Sequence, residues 1–321
     1  MTTVPPAGTL DVLTFGESMV SFRGAGPLTQ GASQTVRLAG AESNVAIGLA
    51  RLGHSVAWAG RVGDDSFGRL VLRELRAEGV DTRYAVVDGE RPTGLMFVEE
   101  RTADLVSVEY RRAGSAGSAV GKEDVSAALA TSPRVLHVTG ITPALSPSAA
   151  EAVESAVRSA SAAGVFVSLD VNFRSRLWSR EQAREVLTPL AGHATVVIAS
   201  DDELDLVAAG DEDAAVADLL SRGVQQVAVK RGPLGATLHS REGRVDAPAL
   251  AVTAIDPIGA GDAFTAGYLS GVLDGLDPAQ CLARGAATGA FAVSTRGDWE
   301  GAPNREELAV LERHTPGATV R

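Results

Sequence analysis

Cysteines, paired histidines and long apolar runs are what this chain has least of, and each shortage closes off a class of function. Cys281 is the only cysteine in 321 residues, so an intrachain disulfide and a cysteine-based zinc site are both excluded. Its alanine-rich helical surroundings predict a small core residue instead. The 5 histidines are scattered without HxH or HxxxH spacing, which removes support for a histidine-based metal centre. No apolar run reaches the roughly 18 residues of a membrane span, and the N-terminal stretch lacks the basic flank and apolar segment of a secretory leader. A cytoplasmic protein is expected. The formal net charge of −11 argues against nucleic acid or an anionic membrane as partner, so any anionic ligand has to be met by a local pocket of cations and backbone amides.

A hydrophobic content of 45% over this length can bury a large core, and it suits one large α/β domain with a small appendage as well as two domains. Short β-branched runs at 12–15, 56–59, 135–138, 165–169, 195–198 and 227–229 alternate with amphipathic stretches such as 67–78 and 147–163. That alternation predicts a mostly parallel sheet with helices on both faces, in which ligands collect at the carboxyl ends of the strands. GES after the first run, DVN after Leu169, the acidic cluster after Ile198 and KRG after Val229 all fall at that edge. Two stretches, about 19–38 and 93–113, interrupt the alternation and read as antiparallel. In the second, Val106, Val108 and Tyr110 alternate with Ser107, Glu109 and Arg111, the pattern of a one-sided hairpin turning at 102–104. No internal repeat stands out, and the tail after Arg313 is expected to fray.

The nine residues DPIGAGDAF at 256–264 carry the most chemistry. Gly259 and Gly261 free the backbone to turn its N–H groups, Ala260 among them, toward an anion, and the helix that follows adds its positive end. Asp262 is out of place among anion-binding amides unless it has another task, and taking a proton from an attacking hydroxyl is such a task. No Lys-Ser or Lys-Thr pair closes the loop, so this is not a Walker A motif. Alone, GxGD also describes a tight turn with an acidic residue in the first helical turn.

The segment DPIGAGDAF resembles the second signature of the ribokinase-like (PfkB) sugar kinases, and AGAESNVAIGLARLG at 39–53 resembles their first, about two hundred residues earlier. The resemblance runs from TFGESM near the N-terminus to GDWEGAP near the C-terminus. Within the family, YRRAGSAGSA at 110–119, GITPALSP at 140–147, DVNFRSRLW at 170–178 and RGDWEGAP at 296–303 are most similar to the 2-keto-3-deoxygluconate kinases. The resemblance implies a single ribokinase-like domain over 1–321: a three-layer αβα core with a mostly parallel sheet, and a small β-sheet lid built from the two inserted stretches. It implies ATP and Mg²⁺, leaves room for a monovalent cation, and implies a homo-oligomer, most simply a dimer through the lid.

Site residues follow from the matched motifs. Asp262 is implied as general base, with the N–H groups of Gly259, Ala260 and Gly261 stabilising the transferring phosphoryl group. Gly40, Ala41 and Asn44 are implied at the substrate; read from the residues alone, Ser43 or Asn44 is also a natural helix N-cap, and Glu42 a surface or supporting residue. Tyr110, Arg112, Arg174 and Asp298 are implied sugar-acid contacts, a guanidinium being suited to bidentate recognition of a carboxylate. Their plainer alternatives are a solvated hairpin arginine, a strand-end salt bridge and a turn acid. Asn172, Ser200, Lys230, Arg231, Gly232, Gly235, Ala236 and Ala286 are implied around the nucleotide, although KRGPLGA also reads as a strand followed by a hairpin turn. Glu203 is implied to organise hydrated Mg²⁺ through water.

Three positions depart from the family pattern. Ser200 replaces an Asn, Met96 stands where these kinases can carry a substrate-facing Tyr, and Ala286 stands where an Asn near the adenine is common. The expected activity is ATP-dependent phosphorylation of the 6-hydroxyl of 2-keto-3-deoxygluconate. A fructokinase or another sugar kinase of the family, and a non-catalytic sugar sensor on the same fold, are the rival readings; a Rossmann dehydrogenase is disfavoured because GES, not GxGxxG, follows the first strand.

Overall fold

The computed structural model describes residues 10–102 and 105–312; the expected fraying tail after Arg313, and part of the hairpin turn at 102–104, lie outside the described residues. In chain order the elements are β1 (Val12–Phe15), β2 (Met19–Ala25), β3 (Thr35–Ala39), α1 (Ala41–Arg51), β4 (Val56–Gly63), α2 (Ser66–Ala77), β5 (Ala85–Asp88), β6 (Leu95–Thr102), β7 (Leu105–Arg111), α3 (Lys122–Leu129) and β8 (Val135–Thr139). They continue with α4 (Pro147–Ala162), β9 (Phe166–Asp170), α5 (Arg180–Ala191), β10 (Val196–Ser200), α6 (Glu212–Ser221), β11 (Gln226–Lys230), β12 (Ala236–Ser240), β13 (Gly243–Ala247), α7 (Ala260–Leu273), α8 (Pro278–Val293) and α9 (Arg305–Glu312).

The large sheet has nine strands in the order β13-β12-β11-β10-β9-β8-β1-β4-β5. From β11 to β5 every pairing is parallel, as the alternating pattern predicts, while β12 and β13 add an antiparallel edge that periodicity did not reveal. The KRGPLGA segment is thus both things at once: the end of β11 and the turn of a hairpin into β12. The central strands β1, β8 and β9 are buried along their whole length, because helices cover both faces. One core cluster gathers Leu13, Phe15, Leu136 and Val167 with α4 and α5; the other gathers Val12, Trp58, Phe166 and Ile198 with α1, α7 and α8.

Helix starts follow local chemistry. Asp65 and Ser146 accept N–H groups at the starts of α2 and α4, and Ser179/Gln182 and Asp277/Gln280 form reciprocal capping boxes on α5 and α8. Helix α7 is apolar all round and buried all round, wedged between α1 and α8. Cys281 of α8 packs on Gly271 of α7 with 3% exposure, and burial pushes its thiol up to about 11, as suits an inert core residue.

The two inserted stretches combine into one four-stranded sheet, β3-β2-β6-β7, which is the lid. Each insertion is an antiparallel pair, as its pattern predicts, and β2 and β6 join the two pairs in parallel, a seam the pattern did not show. Alternation assigns its faces. Met19, Met96, Val98, Val108 and Tyr110 form one apolar row with Ile258 of the DPIGAGD turn, so the lid packs directly on that motif. Phe22 on the opposite face meets Phe67 of α2 edge-on at 5.7 Å and stacks on Phe97 at 5.2 Å, so part of that face is covered from within the chain.

Candidate active site

Between the lid and the carboxyl ends of the parallel strands lies a cavity of about 540 Å³. Asp262 stands at its floor, in the first turn of α7 and 7% exposed. Asn44 Nδ2 donates to its Oδ2 at 2.8 Å and Asn172 Nδ2 to its Oδ1 at 3.2 Å. Two amides from α1 and from the loop after β9 therefore fix the carboxylate plane and leave a lone pair on each oxygen. Burial pushes its pKa up to about 6, against the Asn44 hydrogen bond and the positive charge of Arg174. A carboxylate poised there is a competent proton acceptor near neutral pH.

Asn44 is not a helix cap. Helix α1 begins three residues before it, with Gly40 as N-cap at φ 153°, and the Ser43 hydroxyl donates to the Gly40 carbonyl. The early start frees the Asn44 side chain for Asp262. Glu42 is not on the surface either: it is 1% exposed and accepts hydroxyls from Thr139 and Thr142, each at 2.6 Å. Burial raises its pKa, those hydroxyls opposing the shift.

The turn ahead of α7 is built on Gly259, at φ 77°. A Cβ at Gly259 would stand 1.8 Å from the Asp298 carbonyl oxygen, so only glycine fits there. The first N–H groups of α7 have no acceptor within the helix; that of Ala260 reaches back to the Pro257 carbonyl at 3.3 Å. Lys230 Nζ lies 3.6 Å from where a Cβ of Gly261 would stand, and bonds both oxygens of Asp170 at 2.9 Å. Thr265 Oγ1 completes Asp170 at 2.9 Å. Burial works against the Lys230 charge, but Asp170, with Glu203 and Asp262 beyond it, holds its pKa above the usual value. The helix start, this ammonium and the exposed Arg174 make the cavity floor attractive to anions despite the acidic chain.

On the lid side, Met96, Val108, Tyr110 and Arg112 line the cavity. Arg112 is not solvated. Its Nε donates to Glu17 Oε2 at 2.6 Å, its guanidinium lies 5.3 Å from the Tyr110 ring centroid, and Glu17 is 2% exposed. Arg174, by contrast, makes no ion pair among the described residues and bonds only the Phe173 carbonyl, at 3.3 Å. Asp298 also lines the cavity; burial pushes its pKa up to about 7, the charge of Arg23 opposing.

Toward the β10 and β11 ends, Ser200, Glu203, Lys230, Arg231 and Gly232 line the same cavity. Glu203 is oriented by three donors: Phe173 N–H at 2.7 Å, and Ser200 N–H and Oγ at 2.8 Å each. Ser200 thus serves the carboxylate where the family pattern has an amide. Arg231 is drawn to Glu212. Gly235, Ala236 and Ala286 do not line the cavity: Gly235 packs on the Ala247 carbonyl, Ala236 is a buried strand residue, and Ala286 is half-buried on α8. Among the described residues no group of three or more His, Cys, Asp or Glu could hold a metal by itself, so a divalent ion would depend on phosphate and water ligands. Glu17, Asp170 and Thr265 were not singled out in the sequence; only DVN and GES falling at the strand edge could have flagged the first two.

The family model for pfkB family carbohydrate kinase matches residues 9–305. The 2-dehydro-3-deoxygluconokinase of Bacillus subtilis is 38% identical over 313 residues, covering 94% of each chain. The 5-dehydro-2-deoxygluconokinase of Shouchella clausii is 32% identical, covering 95% of this chain and 96% of the relative. Among solved structures, a putative ribokinase II from E. coli in complex with ATP and Mg²⁺ superposes with a TM-score of 0.87 at 27% identity, covering 95% of this chain and all of that one. No helix among the described residues is long and apolar enough to cross a membrane. A family match across nearly the whole described chain, on a nine-stranded core with its lid, shows that this chain belongs to the pfkB family of ATP-using carbohydrate kinases.

Proposed function

We propose that the chain, acting as one domain, transfers the ATP γ-phosphoryl group to the 6-hydroxyl of 2-keto-3-deoxygluconate, the compound also called 2-dehydro-3-deoxygluconate. The observation that carries this reading is the pairing of a floor carboxylate, Asp262, with two arginines, Arg112 and Arg174, in one cavity. With Arg112 already paired to Glu17, a neutral hexose leaves the Arg174 guanidinium without an anion; a sugar acid does not. The similarity to the Bacillus subtilis kinase supports the same substrate.

In this mechanism Asp262 accepts the proton of the 6-hydroxyl as its oxygen bonds to the γ-phosphorus and the bond to the ADP oxygen breaks. Gly259, Ala260 and Gly261 present the amide groups that stabilise the transferring oxygens. Asn44 and Asn172 aim the base, and the otherwise unpartnered Asn44 Oδ1 suits a sugar hydroxyl. Gly40, Ala41, Met96, Tyr110 and Asp298 shape the sugar end. Lys230, Arg231 and Gly232 border the phosphates, with Gly235, Ala236 and Ala286 behind that border. Glu203, held by Phe173 and Ser200, would order the water shell of a Mg²⁺ ion, which when bound would neutralise phosphate charge. A cytoplasmic location suits such a substrate.

Coupled ADP release with Mg-ATP and 2-keto-3-deoxygluconate, its C4 epimer, 5-keto-2-deoxygluconate or fructose tests the reading. Preference for fructose overturns the carboxylate assignment, and silence with every sugar favours the sensor. Because Glu17 already neutralises Arg112, Arg174 carries the unspent charge. Arg174→Ala is expected to raise the sugar-acid KM about 10–100-fold, the loss of a charged hydrogen bond, with little change for ATP; an unchanged sugar KM removes it from the substrate.

We also propose a homodimer through the lid, where Leu28 and Val106 are 37% and 41% exposed. Light scattering at a monomer mass, 33.0 kDa, would dismiss it.

A further inference from the structure

We propose that Arg23 is a positioning residue for phosphoryl transfer: it ties the lid to both sides of the Gly259 turn, so that seating of the lid sets the amides at the start of α7. The proposal rests on the role given above to those amides.

Arg23 lies on β2, an inner strand of the lid, paired with Thr35 on β3 and Val98 on β6. It continues the row of Met19 and Ser21, and Met19 at the head of that row lines the cavity and packs near Ile258. Its guanidinium bonds Asp256 Oδ2 and, at 3.0 Å, Asp298 Oδ1, with Glu100 at 3.7 Å. Asp256 opens the DPIGAGD turn and accepts the Ile258 N–H at 3.1 Å and the Gly297 N–H at 3.2 Å. Asp298 supplies the carbonyl against which Gly259 is pressed. One planar cation on the lid therefore grips the residue that begins the turn and the residue that supports it.

Arginine suits this task because its fork reaches two carboxylates at once, which a single ammonium does not. Asp256 and Asp298 are 6% and 9% exposed, so each depends on that cation for compensation. Among the described residues Arg23 is the one lid side chain in ionic contact with Asp256 and Asp298; Glu100 pairs with Arg296 at 3.7 Å and Arg37 with Glu300 at 3.3 Å beside them, and Ile258 packs on Met19, Met96 and Val98. Lid position and turn position are thereby mechanically joined.

The test compares wild type, Arg23→Ala and Arg23→Lys for kcat, both KM values, thermal melting, and the share of ATP consumed that ends as phosphorylated sugar. A misplaced turn should lower kcat of Arg23→Ala about 10–100-fold, with smaller KM changes and more ATP lost to water per sugar phosphorylated. Arg23→Lys should recover part of kcat, and millimolar guanidinium should raise the rate of Arg23→Ala. A simple structural brace predicts otherwise: lower melting temperature, but kcat per folded molecule and coupling equal to wild type. That result overturns the proposal, as does a fully active Arg23→Lys. If Arg23→Ala does not fold, the coupling ratio of Arg23→Lys decides alone. Failure of the substrate reading is separable, since the comparison runs on whichever sugar the wild type phosphorylates, while an active Asp262→Asn would instead remove the reading of the helix start.

Discussion

Asp262→Asn is expected to reduce sugar-dependent ADP formation by about 10²–10⁴-fold while the protein melts at a higher temperature than wild type. The first half follows from the base having no substitute: Asp170 is consumed by Lys230 and Thr265, and Glu203 by three donors of its own. The second half follows from linkage. A carboxyl raised by burial to about 6 in the fold binds its proton more readily there than in the unfolded chain. Its charge therefore opposes folding at neutral pH, by on the order of 3 kcal/mol, and this opposition fades as pH falls through 6. An amide removes that term. The same titration sets the activity profile: the proton acceptor works only when ionised, so wild-type kcat/KM should fall as pH drops through about 6. Activity of the variant within tenfold of wild type, or an acid limb unrelated to Asp262, would remove the general-base assignment; loss of activity with a lowered melting point would mean a structural carboxylate.

The second large effect is expected at Gly259. Alanine there has to place a methyl group 1.8 Å from the Asp298 carbonyl oxygen, at a φ of 77° that an L-residue tolerates poorly. Either the turn or the 296–298 segment must move, and Asp298 is tied to Arg23. Displacement of the amides by about 1 Å is worth a loss near 10²-fold in kcat, together with a destabilisation of about 1–3 kcal/mol. Gly275 supplies the control: its φ is 73°, yet a Cβ there meets nothing within 4 Å, and it lies past the far end of α7. Gly275→Ala should cost about 1 kcal/mol through the left-handed backbone and leave kcat unchanged. Equal kcat for both variants would detach the Gly259 turn from catalysis.

Period and punctuation in the chain were enough for the parallel strands, for the hairpin between Leu95 and Arg111, and for the placing of Asp262 at a helix start, because these depend on neighbours within a few residues. Exclusion of disulfides and of cysteine-based metal sites was likewise decided by composition alone. The hairpin turn after β11 was legible at KRGPLGA as one of two readings, but the strands β12 and β13 that it opens were not, since short strands alternate in the same way whichever direction their partner runs. Nor was the parallel seam between β2 and β6, which joins segments some seventy residues apart. At the site, the sequence named Asp262 and Asn44 but not the bond between them, 218 residues apart in the chain. It offered Arg112 as a contact for a sugar acid but not its pairing with Glu17, 95 residues away, and it showed neither the burial of Glu42 nor the reach of Arg23 to Asp256 and Asp298. What the chain determined by itself was which chemistry is available and at which strand ends it emerges; which charges remain unspent was decided only by the tertiary structure, because burial and long-range pairing, rather than residue type, set the charge state of a buried group.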